Sequence, residues 1–222
     1  MIVHHCTQGS PEWFELRRGI PTASNFDRIL TPKTGKPSAS ADPYISELIA
    51  ERYHIGPLDE LEATASDAMK QGLALEPEAR HRYEAETGVA VAQVGFVTTD
   101  DGRLGCSPDG LVGDSGGLEV KCPSGKTHVG YLRERVLPDD YKAQVHGSLI
   151  VTGRKWWDFV SYCHGLPLFR VRVVPDEYTD RLREALYLFV ARYENTIRDL
   201  GLPDPPVHVA AEWPNPNKVR IS

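Results

Sequence analysis

A chain of 222 residues with 41% apolar and 25% charged residues can bury one sizeable core and has the balance of a globular protein, which excludes a disordered or fibrous chain. No run approaches the roughly 18 apolar residues needed to cross a membrane, and the start from Met1 to Trp13 lacks the basic-then-apolar order of a secretory signal, so a cytoplasmic protein is expected. A net charge of -6 offers no whole-protein attraction for nucleic acid, and any phosphate-binding surface must gather its basic residues locally while acids cover the rest.

The first third reads as helical: Pro11 to Arg18, Ala23 to Leu30 and Asp42 to Tyr53, the last with Ile45, Leu48, Ile49 and Tyr53 at helical spacing. Between the second and third lies a basic, turn-rich loop from Thr31 to Pro37. A longer helix is expected from Ser66 to Thr87, weakened by Gly72 and Pro77 and ended by Gly88. From Val89 the period changes to that of a β meander: Val89 to Val97, Arg103 to Cys106 and Gly117 to Cys122. A helix from Asp139 to Val151 follows, then strands at Trp156 to Tyr162 and Leu168 to Val174. The last helix, Asp176 to Leu200, carries Leu182, Leu186, Phe189, Tyr193, Ile197 and Leu200 down one face, which predicts core packing. One domain over residues 1–200 and a Pro-rich tail over 201–222 are expected. Cys6, Cys106, Cys122 and Cys163 lie far apart with no C-x-x-C pair, which argues for plain thiols rather than a zinc ribbon or a disulfide framework.

The chemically informative stretch runs from Cys106 to Pro123. Asp109 stands between a proline and a glycine, so it sits at a bend, while Glu119 and Lys121 take alternate positions of a short strand and point to one face. If Asp109 and the Glu119 strand are neighbours across the Gly-rich turn at 113–117, two carboxylates and an ammonium converge on one pocket. Hard oxygen ligands suit Mg2+, and they admit Mn2+ as well. Lys121 is then placed to orient or deprotonate a water, or to stabilise charge on a phosphorane. The bland alternative is an exposed cross-strand Glu–Lys pair on a surface hairpin, worth little.

The order Asp, then Glu-x-Lys on a strand, resembles the PD-(D/E)XK nuclease superfamily. Within it, Ser107-Pro-Asp-Gly110 and Leu118-Glu-Val-Lys-Cys-Pro123 resemble the lambda exonuclease and YqaJ-like viral recombinase family. The segment from Trp13 to Ser24 is similar to that family's W-x-x-L-R-x-G-x-x-T-A-S opening, Gly72 to Arg80 to its G-x-x-x-E-x-x-A-R helix, and Tyr141-Lys-Ala-Gln144 to its Y-x-x-Q helix. Four blocks in order span about residues 10–152.

The resemblance implies an α/β, restriction-endonuclease-like core, a mixed central β-sheet flanked by α-helices with the active site at one edge. It implies Glu76, Asp109, Glu119 and the Val120 carbonyl as ligands of two Mg2+ ions, and Lys121 as the catalytic lysine. It places Arg17, Ser24, Ser107 and Gln144 on the 5'-phosphate of the digested strand, Lys33 along the duplex, and Met69 as an apolar wedge at the terminal base pair. Taken without the family, Ser24 reads as a helix cap. Met69-Lys-Gln-Gly72 lacks the tryptophan of lambda exonuclease's W-G, and His146 stands where a second glutamine is common. The activity implied is 5'-to-3' digestion of linear double-stranded DNA to mononucleotides, leaving a 3' overhang for phage-type recombination, by a homotrimeric ring that works with a single-strand-annealing protein. Rival readings are a structure- or sequence-specific endonuclease, an iron-sulfur nuclease, for which no closely spaced cysteines follow Cys163, and a non-catalytic DNA-binding protein on the same fold.

Overall fold

The computed structural model describes residues 1–53 and 67–203, and the expected tail beyond Pro203 lies outside the described residues. In chain order the elements are β1 (Ile2–His4), α1 (Pro11–Arg17), a 3-10 helix (Ala23–Arg28), α2 (Ala41–Tyr53), α3 (Asp67–Thr87), β2 (Val91–Ala92), β3 (Phe96–Thr98) and β4 (Gly105–Cys106). They continue with β5 (Gly110–Val112), β6 (Gly116–Lys121), α4 (Gly125–Glu134), α5 (Asp139–Thr152), β7 (Trp156–Ser161), β8 (Phe169–Val173) and α6 (Glu177–Asp199). The result is an α/β fold on a mixed five-stranded sheet of order β2-β5-β6-β7-β8, with a small three-stranded sheet β1-β3-β4 beside it.

Alternation along β6 decides which helix meets which face. Leu118 and Val120 point to one side, where they bury with Val160 against Ala79 and Tyr83 of α3. Trp157 and Phe159 of β7 point to the other, against Val145 and Leu149 of α5. On the far side of α5 a third cluster joins Phe26, Leu48, Leu182, Leu186 and Phe189, so α2, α6 and the 3-10 helix form an outer layer. Each fully buried Leu or Phe there contributes roughly 1.5–3 kcal/mol of transfer free energy. Asp176 caps α6, its carboxylate accepting from the Tyr178 and Thr179 amides.

Several expectations need correction. The segment after Thr22 is a 3-10 helix rather than an α-helix, closed by i+3 bonds such as Ile29 N to Phe26 O. Ser24 is not its cap, because the cap position is Thr22, whose side chain makes no capping bond. The apolar run from Val89 to Val97 is not one strand: it divides into β2 and β3, which belong to different sheets. The division falls at Gly95, where a Cβ would lie 2.2 Å from the Cys6 carbonyl oxygen. β1, β5 and α4 have no counterpart in the expected elements. The apolar stripe of α6 stops at Ile197, and Leu200 is 60% exposed.

Pro77 sits inside α3 without ending it, and Gly88, at φ 71°, ends the helix by donating its amide to the Glu84 carbonyl. All four cysteines are free. Among the described residues no helix is long and apolar enough to cross a membrane.

Candidate active site

β5 and β6 form the hairpin that the turn at 113–117 foretold, with Gly110 opposite Leu118, so Asp109 comes to lie beside Glu119. The bend before β5 is pinned from outside: Gln8 Nε2 donates to the Pro108 carbonyl at 2.9 Å. Asp109 Oδ2 in turn accepts the Val120 amide at 2.6 Å, which fixes the carboxylate across the hairpin. Glu119 is 2% exposed and its Oε1 accepts from two donors, Lys121 Nζ at 2.6 Å and Gln144 Nε2 at 2.7 Å. The site therefore stands at the C-terminal end of β6, the middle strand of the five, and not at a sheet edge. The parallel β6–β7 pair is what makes β6 interior, since β7 and β8 cover its other side.

Glu76 comes from α3, whose first turns run past the end of β6; a Cβ on Gly72 would be 3.9 Å from the Cys122 carbonyl. Its Oε1 accepts from Arg80 Nη2 at 2.8 Å, one turn along the helix. Burial pushes the Glu76 carboxyl up, and the nearby Asp109 charge pushes it further. Asp109 is raised by burial against the opposing pull of Lys121 and the Val120 amide. Glu119 is pushed up to about 7, first by burial and then, against the pull of Lys121, by Asp109 and Glu76. For Lys121 burial acts downwards, but Glu119 and Asp109 outweigh it and hold the ammonium above its usual range. Three carboxylates thus share one crowded region with two cations, and one proton is easily retained among them.

That donor set fits a hard divalent cation. The atoms these side chains offer are all oxygens, and a cation would relieve the repulsion that helps to raise the carboxyls. Among the described residues no three acidic, histidine or cysteine side chains are gathered closely enough to hold an ion as they stand. Arg80 is paired with Glu76 and Lys121 with Glu119. Val120 contributes its amide to Asp109, while its side chain is in the α3-facing core.

A second group lies beside the hairpin. Arg17 Nη1 donates to Ser107 Oγ at 2.8 Å, and its guanidinium lies over the Trp13 ring at 4.1 Å. Trp13 Nε1 donates to the same Ser107 oxygen at 3.0 Å and to the Gly95 carbonyl at 3.2 Å. Burial lowers the Arg17 pKa, with partial compensation from Tyr44 and Glu51. Ser24 is exposed, its Oγ 3.3 Å from Thr22 Oγ1, and the Thr22–Gly105 bridge ties this turn to the strand that leads into Ser107. Gln144 bonds Glu119 instead of joining Arg17 and Ser107. Lys33 is exposed on the loop after the 3-10 helix. The Met69 side chain lies outside the described residues.

His146 does not line the site. It is two residues from Gln144 and so on the far side of α5, 2% exposed, with Nδ1 2.7 Å from Thr179 Oγ1. Its departure from glutamine is thus a matter of how α5 meets α6.

Sequence reasoning passed over Asp158, fully buried in β7, whose carboxylate accepts from Tyr83 Oη, Arg172 Nε and Arg172 Nη2, each at 2.8 Å. It fastens α3 to the sheet. An aspartate inside a strand as apolar as Trp156 to Val160 was the available signal.

Residues 12–155 match the model of the YqaJ-like viral recombinase domain. The chain belongs to that family. It is similar to the crystal structure of an alkaline exonuclease, LHK-Exo, from Laribacter hongkongensis, at 34% identity and a TM-score of 0.73, over 86% of this chain and 96% of that one. A second structure of LHK-Exo, in complex with dAMP, aligns at 35% identity and a TM-score of 0.71 over the same shares. A phage-related exonuclease from Haemophilus somnus 129PT, at 13% identity, a TM-score of 0.56 and coverage of 84% of this chain and 99% of that one, shares the fold. These are exonuclease structures of the restriction-endonuclease-like fold, and this YqaJ-like chain shares that architecture. No curated protein matches it.

Proposed function

We propose that the protein is a Mg2+-dependent 5'-to-3' exonuclease that digests one strand of linear double-stranded DNA to mononucleotides and leaves a 3' overhang for recombination. The observation that carries this is the Asp109–Glu119–Lys121 hairpin, with Glu119 buried, all three carboxyls including that of Glu76 raised, and Lys121 2.6 Å from Glu119. Membership of a viral recombinase family and the likeness to an alkaline exonuclease support it, and the dAMP held by that relative suits a mononucleotide product.

Glu76, Asp109 and Glu119, with the Val120 carbonyl, would hold the metal, and two ions suit a donor set of this charge. Bound there, Mg2+ supplies Lewis acidity towards a phosphoryl oxygen and lowers the pKa of a water. The protein's own residues do the rest. Lys121, held as an ammonium beside Glu119, donates hydrogen bonds that orient the attacking water or stabilise the oxygens of the phosphoryl group. Gln144 holds the Glu119 carboxylate in place. Arg17 and Ser107 take the 5'-phosphate, with Ser24 at the rim. Arg17 uses Nη1 on a neutral hydroxyl, and among the described residues no salt bridge holds this partly buried guanidinium, so a phosphate can take it bidentately. Lys33 tracks the duplex, and Met69 is the proposed wedge at its end. A homotrimeric ring and an annealing partner for the exposed strand complete the proposal on the strength of the family.

The deciding experiment compares linear duplexes labelled at either end, with 5'-phosphate or 5'-hydroxyl, against a closed circle, with Mg2+ or chelator. The expected result is release of mononucleotides from 5'-phosphorylated strands of the linear duplex only. Cleavage of the circle supports the endonuclease reading instead, and digestion from 3' ends or in chelator overturns the mechanism.

A further inference from the structure

Helix α5 presents two side chains to the Glu-x-Lys pair of β6. Gln144 reaches Glu119, and three residues earlier Tyr141 lays its ring under Lys121, with Nζ 5.3 Å from the ring centroid. Positions three apart on a helix share a face, and positions two apart on a strand share a side, so the Y-x-x-Q spacing of α5 meets the E-x-K spacing of β6 residue for residue. Tyr141 is itself immobilised. It stacks on Phe159 of β7 at 5.0 Å and 28°, and Phe159 is fully buried.

We propose that Tyr141 is a positioning residue for Lys121, its ring face fixing the ammonium beside Glu119 and the scissile phosphate. The reasoning is geometric. Lys121 stands at the last position of β6, and its side chain is 29% exposed, so Glu119 alone leaves a four-carbon stem several rotamers. A rigid ring below Nζ holds the ammonium electrostatically and removes some of that freedom. The face of the ring does this work, and the hydroxyl does not. The proposal deepens the exonuclease reading and rests on it for its kinetic consequence.

The test uses the full-length protein with Tyr141→Phe, Tyr141→Leu and Tyr141→Met. Phenylalanine keeps the ring, whereas leucine and methionine keep apolar packing on Phe159 without it. Digestion of a 5'-phosphorylated linear duplex is expected to lose about 3- to 30-fold in kcat for the Leu and Met variants, at unchanged KM, and to be restored in the Phe variant. Melting temperatures identify a variant that fails to fold, and the Met variant then carries the comparison. Independently of any activity, NMR of lysine-labelled protein reads the ring-current shift of the Lys121 ε-methylene, expected in wild type and in Tyr141→Phe and lost in the other two. A Phe variant as slow as Leu, a loss confined to KM, or an ε-methylene shift that survives in Tyr141→Met overturns the proposal. If wild type leaves DNA intact while the shift behaves as described, the exonuclease reading fails and the positioning contact stands.

Discussion

Glu119 has an ammonium and an amide on one oxygen and burial on every other side, and these act in opposite senses on its charge. Replacing Lys121 or Asp109 by alanine removes the group proposed to act on the water, or a proposed metal ligand, without touching the Arg17–Ser107 pair. Digestion with Mg2+ is therefore expected to fall by at least about 100-fold while duplex binding persists, measured by single-turnover release and by gel shift. Near-wild-type rates for either variant remove the site assignment. The raised carboxyls also make a pH prediction. A folded-state pKa above the unfolded one adds stability at low pH that is lost as pH rises through the folded value, here about 7 for Glu119, with Asp109 and Glu76 raised in the same direction. Chelated protein is expected to melt at progressively lower temperature from pH 5 to pH 8, and saturating Mg2+ to raise the melting temperature more at pH 8 than at pH 6. A flat profile in chelator, with equal Mg2+ stabilisation at both pH values, contradicts the electrostatic account. For Arg17→Ala the loss should fall on 5'-phosphorylated ends, and an equal loss on 5'-hydroxyl ends removes its role as the phosphate clamp.

At the level of elements, the strand that carries the site is held by close approach of backbone to ring. β6 begins Gly116-Gly117 because β7 pairs with it in parallel, Gly117 against Trp157, and a Cβ on Gly117 would sit 2.2 Å from that fully buried indole. Gly117→Ala is expected to destabilise by about 1–3 kcal/mol in urea unfolding. Gly130→Ala, in α4 with nothing within 4 Å of the added carbon, is expected to be neutral or to stabilise by up to about 1 kcal/mol. Equal effects at the two positions refute the packing argument. The same local logic explains what could be read from sequence. α2 and α6 announce themselves by apolar residues at helical spacing, and the Asp109–Glu119 hairpin by a short turn whose two arms are neighbours in the chain. α4 does not, because glycines at 125 and 130 and a polar surface hide a helix in which His128 is the buried residue. The split of residues 89–97 between two sheets is set by Cys6 pressing on Gly95, a contact across the chain that composition does not encode. Gln144 on Glu119 and Asp158 beneath Tyr83 are likewise contacts between distant segments, legible only once the layers are stacked.

The molecule as a whole carries a charge of -6, so its attraction to DNA must come from a few placed cations and, in the proposed ring, from topology. These two sources respond differently to salt. Each phosphate neutralised by a lysine or arginine adds about 0.9 to the slope of log affinity against log salt, whereas a closed ring around duplex is not released by weakening such contacts. Initial capture of DNA ends should therefore fall steeply with salt, while enzyme already engaged continues to digest after salt or a heparin trap is added. Exposed Lys33 is the proposed contact of the first kind: Lys33→Ala should reduce the capture slope by about 0.9 and leave the length digested per engagement unchanged. The measurement is end binding by anisotropy from low to moderate salt, beside trap-challenged digestion of a long duplex. Digestion that stops when the trap is added argues against encirclement, and an unchanged capture slope removes Lys33 from the DNA path. An acidic protein that holds DNA by enclosure has no need of a strongly basic surface, and the negative total charge then limits unproductive binding along duplex that offers no end.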